Sequence, residues 1–280
     1  MPYATRQQIG GGMTFYKNLK KGASDLIFVD NWRDCDFILI TGATMTNRDE
    51  MKEAKAGGKK IVFRIDNLPK DSRNRGTAFS RVKDFAQMAD WIIFQSEWAK
   101  DYVGWWLVDN SIDINSKSSI IHNGVDTEFF YKNDREKNDK RYLFVQFNRD
   151  ENKREREAFY DFHQAFRKDK DVELWIVGRF SPELVNYNFD FFGGESVKYL
   201  NVIEDRLQLG DTMRSCKYFL FPAYADAAPN TLMEAMACGC EPVGVNPVGG
   251  SIEIKTLMDK GVRTIQDMAE DYKSVFSKLI

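Results

Sequence analysis

Histidine and cysteine are both scarce in this chain of 280 residues: His122 and His163 are its only histidines, and Cys35, Cys216, Cys238 and Cys240 its only cysteines. Four thiols in mostly apolar surroundings do not make a disulfide framework and fit a reducing compartment. Cys238 and Cys240 flank a glycine, but the second ligand pair that a zinc site needs is missing. No metal site is therefore expected. No apolar run approaches the ~20 residues that span a bilayer, and the opening MPYATRQQ does not read as a signal peptide. The expected location is cytoplasmic, with no membrane association evident. Charge of one sign is lacking too: 40 basic against 42 acidic residues leave a net charge of -2, which gives no reason to expect nucleic acid as a partner. The basic cluster Lys153, Arg154 and Arg156 is balanced by Glu155 and Glu157, as on a solvated helix face.

What is present is a globular composition, with 43% hydrophobic and 29% charged residues, enough for one large or two modest domains of ~100–150 residues each. Short runs rich in Val, Ile and Phe alternate with helical patterns, the signature of βαβ units and a parallel sheet. Strands are expected at 37–40, 61–65, 91–95, 119–122, 142–147, 173–177, 197–202, 218–221 and 243–245, with helices such as 48–56 and 155–166 between them. The segment KNDREKNDKR, residues 132–141, holds no apolar residue and reads as an exposed linker. It divides the chain into a first domain, 1–131, and a second, 142–280. Both read as Rossmann-like, doubly wound halves whose carboxyl strand ends turn toward a shared cleft.

The stretch from Phe219 to Ile254 carries the most chemistry. A buried strand ends at Phe221-Pro222, a polar loop follows, and a helix starts near Pro229-Asn230 and closes at Gly239, with Pro and Gly at the ends each favours. The leading amides of Asn230, Thr231 and Leu232 would point at the carboxyl edge of the sheet, where a diphosphate is stabilised by the helix's partial positive charge. Carboxylates there would repel a phosphate, so neutral hydroxyls are their partners: ribose for Glu234 and a transferred sugar for Asp226. Equally, Glu234 could only stabilise the first helix turn.

The run from Asp226 to Gly250 resembles the signature of retaining GT-B glycosyltransferases of family 4, in which two Glu residues eight positions apart precede AMACG, a short strand and a VGG loop. IIHNGVDTEFF from Ile120, LFVQFNRDENKRE from Leu143 and GGGMTFYKNL from Gly10 resemble further segments of that family in the right order, so the resemblance spans nearly the whole chain. It implies a GT-B enzyme of hexosyltransferase type with a reduced N-terminal domain. The reaction would move a sugar from a UDP-sugar or GDP-sugar to a hydroxyl of a glycan or small-molecule acceptor, with retention and without cofactor or metal. By motif position it implies Arg149 and Lys153, or Arg154 on strict spacing, as phosphate ligands. Glu234 becomes the ribose ligand, Asp226 stands in for the first Glu, and Gly11 and Gly12 form the glycine loop facing the donor. Gly249 and Gly250 form the later loop. The family's opening strand has no counterpart beyond MPYATRQQI, and the tail after Ile265 is short for a helix that returns to the first domain.

Two alternatives come from other classes: a nucleotide-sugar-binding subunit without turnover, motivated by the Asp at 226, and a GT-B nucleotide-sugar epimerase, for which the two histidines are poorly placed as acid and base. Asp34-Cys35-Asp36 and Asp169-Lys170-Asp171 match a metal-binding spacing, but both precede strands and read as surface turns. His122 reads as a packing residue. The loop Asp66–Gly76, with Lys70, Arg73 and Arg75, follows a strand on its carboxyl side and is open to a substrate-contact reading.

Overall fold

Each expected apolar run becomes a strand in the computed structural model, which describes residues 11–66, 78–134, 136–147, 153–180, 186 and 196–280. Two compact units result: one runs to Gly124 and takes in Arg263–Ile280, and the other is Val125–Val262.

The first unit is a parallel sheet of β1 (Phe37–Ile40), β2 (Lys60–Arg64), β3 (Trp91–Phe94) and β4 (Ser118–Ile120), in that spatial order. Its helices up to β4 are α1 (Gly11–Gly22), α2 (Arg48–Ala56), α3 (Ala78–Met88) and α4 (Glu97–Asp109). Local chemistry explains the helix starts: Asn47 accepts hydrogen bonds from the amides of Asp49 and Glu50, and Ser96 caps the Ala99 amide, satisfying donors that no earlier carbonyl can reach. Successive side chains of β2 go to opposite faces. Phe63 meets Phe85 of α3, with ring centroids 5.9 Å apart, while Val62 packs with Phe15 and Leu19 of α1. A strand covered on both faces must be apolar throughout, which is why these strands read as continuous hydrophobic runs.

At the carboxyl end of β2 this core admits charge. Arg64, only 2% exposed, pairs with Asp66, donates to Asn123 Oδ1 (2.7 Å) and lays its guanidinium over the Phe15 ring, 3.6 Å from the centroid. Gln95 Nε2 donates to the Ile65 carbonyl and to Asp66 Oδ1, both at 3.1 Å. The polar groups ending three adjacent strands are thereby tied together. Burial pushes the Asp66 carboxyl up to about 6 despite the guanidinium beside it, which acts in the opposite direction. The rest of the loop singled out in the sequence, 67–76, lies outside the described residues.

The second unit is a parallel sheet in the order β7-β6-β5-β8-β9. Along the chain its elements are β5 (Asn138–Gln146), α5 (Glu155–Lys168), β6 (Glu173–Gly178), β7 (Val197–Tyr199), α6 (Arg206–Arg214), β8 (Cys216–Leu220), α7 (Asn230–Ala237), β9 (Glu241–Val243) and α8 (Ser251–Lys260). Alternation along β5 again feeds two cores. Leu143 and Val145 join Leu232 and Ile254 on one face, and Phe144 joins Phe159 and Phe162 of α5 on the other. The first three strands run one way from β5 and the last two run the other, the doubly wound arrangement whose reversal lies between β5 and β8.

Two expectations are corrected. Residues 132–141 are not a separate linker, because 138–141 open β5 and Lys137 Nζ donates to the carbonyls of Met213 (3.3 Å), Arg214 (3.1 Å) and Cys216 (2.9 Å). Lack of apolar side chains keeps a segment out of a core, not out of a strand's first residues or away from carbonyls in need of donors. The tail after Ile265 is long enough for a return: α9 (Ile265–Ser277) belongs to the first unit. Thr264 and Asp267 form a reciprocal capping box at its start, and Met268, Ala269 and Tyr272 bury against α1, where the Phe15 and Tyr272 rings lie 5.5 Å apart.

Removing one member of a buried ion pair leaves the other desolvated without compensation, at ~3–5 kcal/mol. Arg64→Met is therefore expected to lower stability at pH 7 by about that amount in urea titrations. The loss should shrink as pH falls from 7 through about 6, the folded-state value of Asp66 with Arg64 in place: without Arg64 that pKa rises further above its unfolded value, so stability is retained at low pH and lost as pH rises through it. A loss independent of pH would show that packing alone is at stake.

Candidate functional site

Chains that run in opposite directions from the middle of a parallel sheet leave a crevice at the carboxyl ends of the two central strands. In the second unit those strands are β5 and β8, so the loops that follow them supply the site. Lys153, from the loop after β5, donates from Nζ to Oδ2 of Asp226, from the loop after β8, at 2.9 Å. The two side chains remain 30% and 23% exposed, open to solvent and to a ligand. Arg154 does not compete for this position. Its backbone is left-handed, φ 53°, and its guanidinium turns to Glu157 (3.5 Å) and to the Tyr224 ring (5.1 Å from the centroid). Arg149 lies outside the described residues.

The loop carrying Asp226 is fixed by backbone contacts with the later glycine loop. The Ala225 amide donates to the Val248 carbonyl (2.8 Å), and the Gly250 amide donates to the Asp226 carbonyl (2.7 Å). Gly249 has φ 124° and lies so close that a Cβ there would be 2.8 Å from the Asp226 carbonyl oxygen and 2.9 Å from its nitrogen. No side chain fits, and an L-residue rarely adopts that φ. Gly249 thus has a mechanical reason: it lets one loop brace the other.

Helix α7 leaves this loop directly. Pro229 is its N-cap, with no side-chain cap and no acidic residue in the first turn. The first intrahelical bond is Met233 N–H to the Pro229 carbonyl (3.3 Å), so the amides of Asn230, Thr231 and Leu232 precede the helical ladder at its electropositive end. Leu232 and Met233 are buried in the core and hold the helix in place, so Leu232 can contribute only its backbone. Asn230 and Thr231 are half-buried. Gly239, at φ 80°, closes the helix in the left-handed conformation expected of it.

Glu234, one turn further in, is 7% exposed. Arg206 Nη2, from the first turn of α6, donates to its Oε1 at 3.3 Å, and the guanidinium lies over the rings of Phe130 (5.1 Å) and Phe129 (5.4 Å). Burial pushes the Glu234 carboxyl up to about 7; Arg206 pulls it down, and the negative charge of Asp126 adds to the rise. Sequence reading missed Arg206, since nothing in DRLQLGD distinguishes it from a surface arginine. Only the packing of α6 on α7 reveals the pairing.

The structure therefore brings Lys153, Asp226, Asn230, Thr231, Leu232 and Glu234 together in the second unit, while Gly11 and Gly12 open α1 in the first. Asp169 and Asp171 are tied to Lys140 at 3.3 and 2.9 Å, and among the described residues no group of acidic, His or Cys side chains is placed to hold a metal ion. The His122 carbonyl accepts a hydrogen bond from Arg263 Nε at 3.2 Å. A cavity of about 450 Å³ beside the start of α2, lined by residues that include Thr44, Arg48 and Arg81, contains none of the site residues.

Two parallel-sheet units with helices on both faces define an α/β protein of the Rossmann-like GT-B kind. Solved structures with this fold include Anabaena HepE in complex with UDP (TM-score 0.59, 14% identity, 86% of this chain and 69% of that one). Sucrose-phosphate synthase from Thermosynechococcus elongatus is similar over 96% of this chain and 77% of its own (TM-score 0.58, 14% identity). The pneumococcal O-GlcNAc transferase GtfA, in complex with UDP and GlcNAc, is similar over 86% of this chain and 49% of its own (TM-score 0.58, 12% identity). Residues 142–279, just under half of the chain, match the family model described as Glycosyl transferases group 1. Fold and family match together support the glycosyltransferase superfamily. A comparison with curated proteins finds no match.

A methyl group at position 249 would both strain the backbone and push the Asp226 loop away, so Gly249→Ala is expected to cost ~1–3 kcal/mol. It should also lower the hydrogen-exchange protection of the Ala225 and Gly250 amides. Unchanged protection of both would mean that the glycine does not brace the loop.

Proposed function

We propose that this protein is a glycosyltransferase that moves a hexosyl group from a UDP-sugar or GDP-sugar to a hydroxyl of a glycan or small-molecule acceptor. The observation that carries the reading is the meeting of Lys153, Asp226 and the uncapped start of α7 at the strand-order reversal. A cation and leading helix amides suit a diphosphate. Glu234 lies a turn deeper, at a depth suited to ribose, and Asp226 lies toward the loop, where the transferred sugar would sit. The family match over 142–279 supports the same reading, as do the UDP complexes of two structures with this fold.

Negative charge on the diphosphate grows as the bond to the sugar lengthens. Lys153 and the amides of 230–232 would stabilise that charge through groups already in place before reaction, and the family resemblance adds Arg149 to them. On this reading Asp226, which accepts from Lys153 Nζ at 2.9 Å, orients the lysine toward the diphosphate. Fixed cations make a divalent metal unnecessary. Retention of anomeric configuration follows from the resemblance to family 4 and is part of the proposal.

The test is release of UDP or GDP from a panel of UDP- and GDP-hexoses by the purified protein, with and without EDTA. Slow release without acceptor, unaffected by EDTA, is expected. Binding without release of any donor would favour the non-catalytic subunit, and interconversion of the donor hexoses would favour the epimerase. Lys153→Ala and Arg149→Ala should each lower kcat by ~100-fold or more, with a smaller effect on KM, because the interaction they remove strengthens toward the transition state. A raised KM at normal kcat would limit them to ground-state binding.

A further inference from the structure

Glu234 and Arg206 are 28 residues apart in sequence, on different helices. Glu234 Oε1 takes the hydrogen bond from Arg206, while its Oε2 has no hydrogen-bond partner among the described residues. The carboxylate is therefore held at one oxygen in a residue only 7% exposed, with the other left to accept from a ligand. The charged groups that face it are Arg206 from α6 and Asp126 from the segment before β5, with the Cys238 thiol one turn on along α7 kept neutral by burial. One cation thus stands against two carboxylates. Arg206 is itself held, its guanidinium lying over Phe129 and Phe130.

We infer that Arg206 is a positioning residue for nucleotide binding: by occupying Oε1 it turns the Glu234 carboxylate so that Oε2 is offered to the ribose hydroxyls. The inference rests on the reading of Glu234 as the ribose ligand. Ionisation matters because a carboxylate accepts from both hydroxyls of a ribose, whereas a protonated acid presents a donor to one of them. Without Arg206, burial and Asp126 both favour the protonated form. The sign is then set: loss of Arg206 raises the pKa of Glu234, weakens nucleotide binding near neutrality, and leaves binding recoverable at higher pH. A purely structural arginine would give no such recovery.

The experiment is calorimetric titration of UDP and of GDP into the wild type, Arg206→Met, Arg206→Lys and Glu234→Gln at pH 7.0 and 8.5. Over this range the last phosphate proton, which leaves near pH ~6, is already gone. Arg206→Met should bind the preferred nucleotide about five- to tenfold more weakly than wild type at pH 7.0 and within about threefold of it at pH 8.5. Arg206→Lys, which retains the charge, should stay within about threefold at both. Glu234→Gln should lose affinity equally at the two pH values. Should Arg206→Met fail to fold, Arg206→Gln against Arg206→Lys gives the same contrast. A loss in Arg206→Met that persists at pH 8.5, or no loss while Glu234→Gln is impaired, overturns the role of Arg206 and leaves the ribose reading standing. Unimpaired Glu234→Gln overturns the ribose reading and this inference with it.

Discussion

In the second unit, strands laid down on one side of β5 are followed by strands laid down on the other, and a single parallel sheet cannot avoid a gap in its loop cover where this happens. The candidate site depends on that constraint. It places the loop after β5 beside the loop after β8, so Lys153 and Asp226, 73 positions apart, come within 2.9 Å. It also aims the start of α7 at the same opening, because the helix must leave β8 there to cross over to β9. The β-bridge between Asp226 and Gly249 then removes the freedom that the Asp226 loop would otherwise have. The chemistry is assembled by topology first and refined by close backbone contact second.

Both units bury a carboxylate beside an arginine that is itself held over aromatic rings: Asp66 with Arg64 and Phe15, and Glu234 with Arg206, Phe129 and Phe130. The delocalised guanidinium tolerates such a setting because it is weakly hydrated and can stack on a ring while its edge donates hydrogen bonds. In both cases burial outweighs pairing, and the carboxyls are raised to about 6 and about 7. The surroundings differ in consequence. Asp66 is tied to Gln95 as well as to Arg64, which joins the ends of adjacent strands, whereas Glu234 has one partner and one open oxygen. A similar local device thus ties strand ends together in the first unit and pairs two helices in the second.

Much of the architecture could be read from the chain because its physical signals are local. Phe37–Ile40 and Arg48–Ala56 form with the expected bounds. Pro229 and Gly239 mark the ends of α7 by backbone requirements that no distant neighbour is needed to interpret. The C-terminal helix was underestimated because its length sufficed only when joined to the capping box at Thr264, and its destination depended on the apolar face of α1. Residues 132–141 were misjudged as a linker for a related reason: β5 begins among polar residues whose hydrogen bonds, not side-chain burial, place them in the sheet.

The sequence by itself determined the alternating α/β character and the bounds of α7, while its family resemblance offered Lys153 or Arg154, Asp226 and Glu234 as candidate site residues. The first two follow from covalent stiffness and apolar periodicity within a few residues. Only the tertiary structure decided that Lys153 and not Arg154 turns to Asp226, that Arg206 stands against Glu234, and that Arg263–Ile280 belongs to the first unit. Those are relations between segments distant along the chain. Their sign and strength depend on burial and on the direction a side chain takes, quantities that exist only once the sheets have closed over their helices.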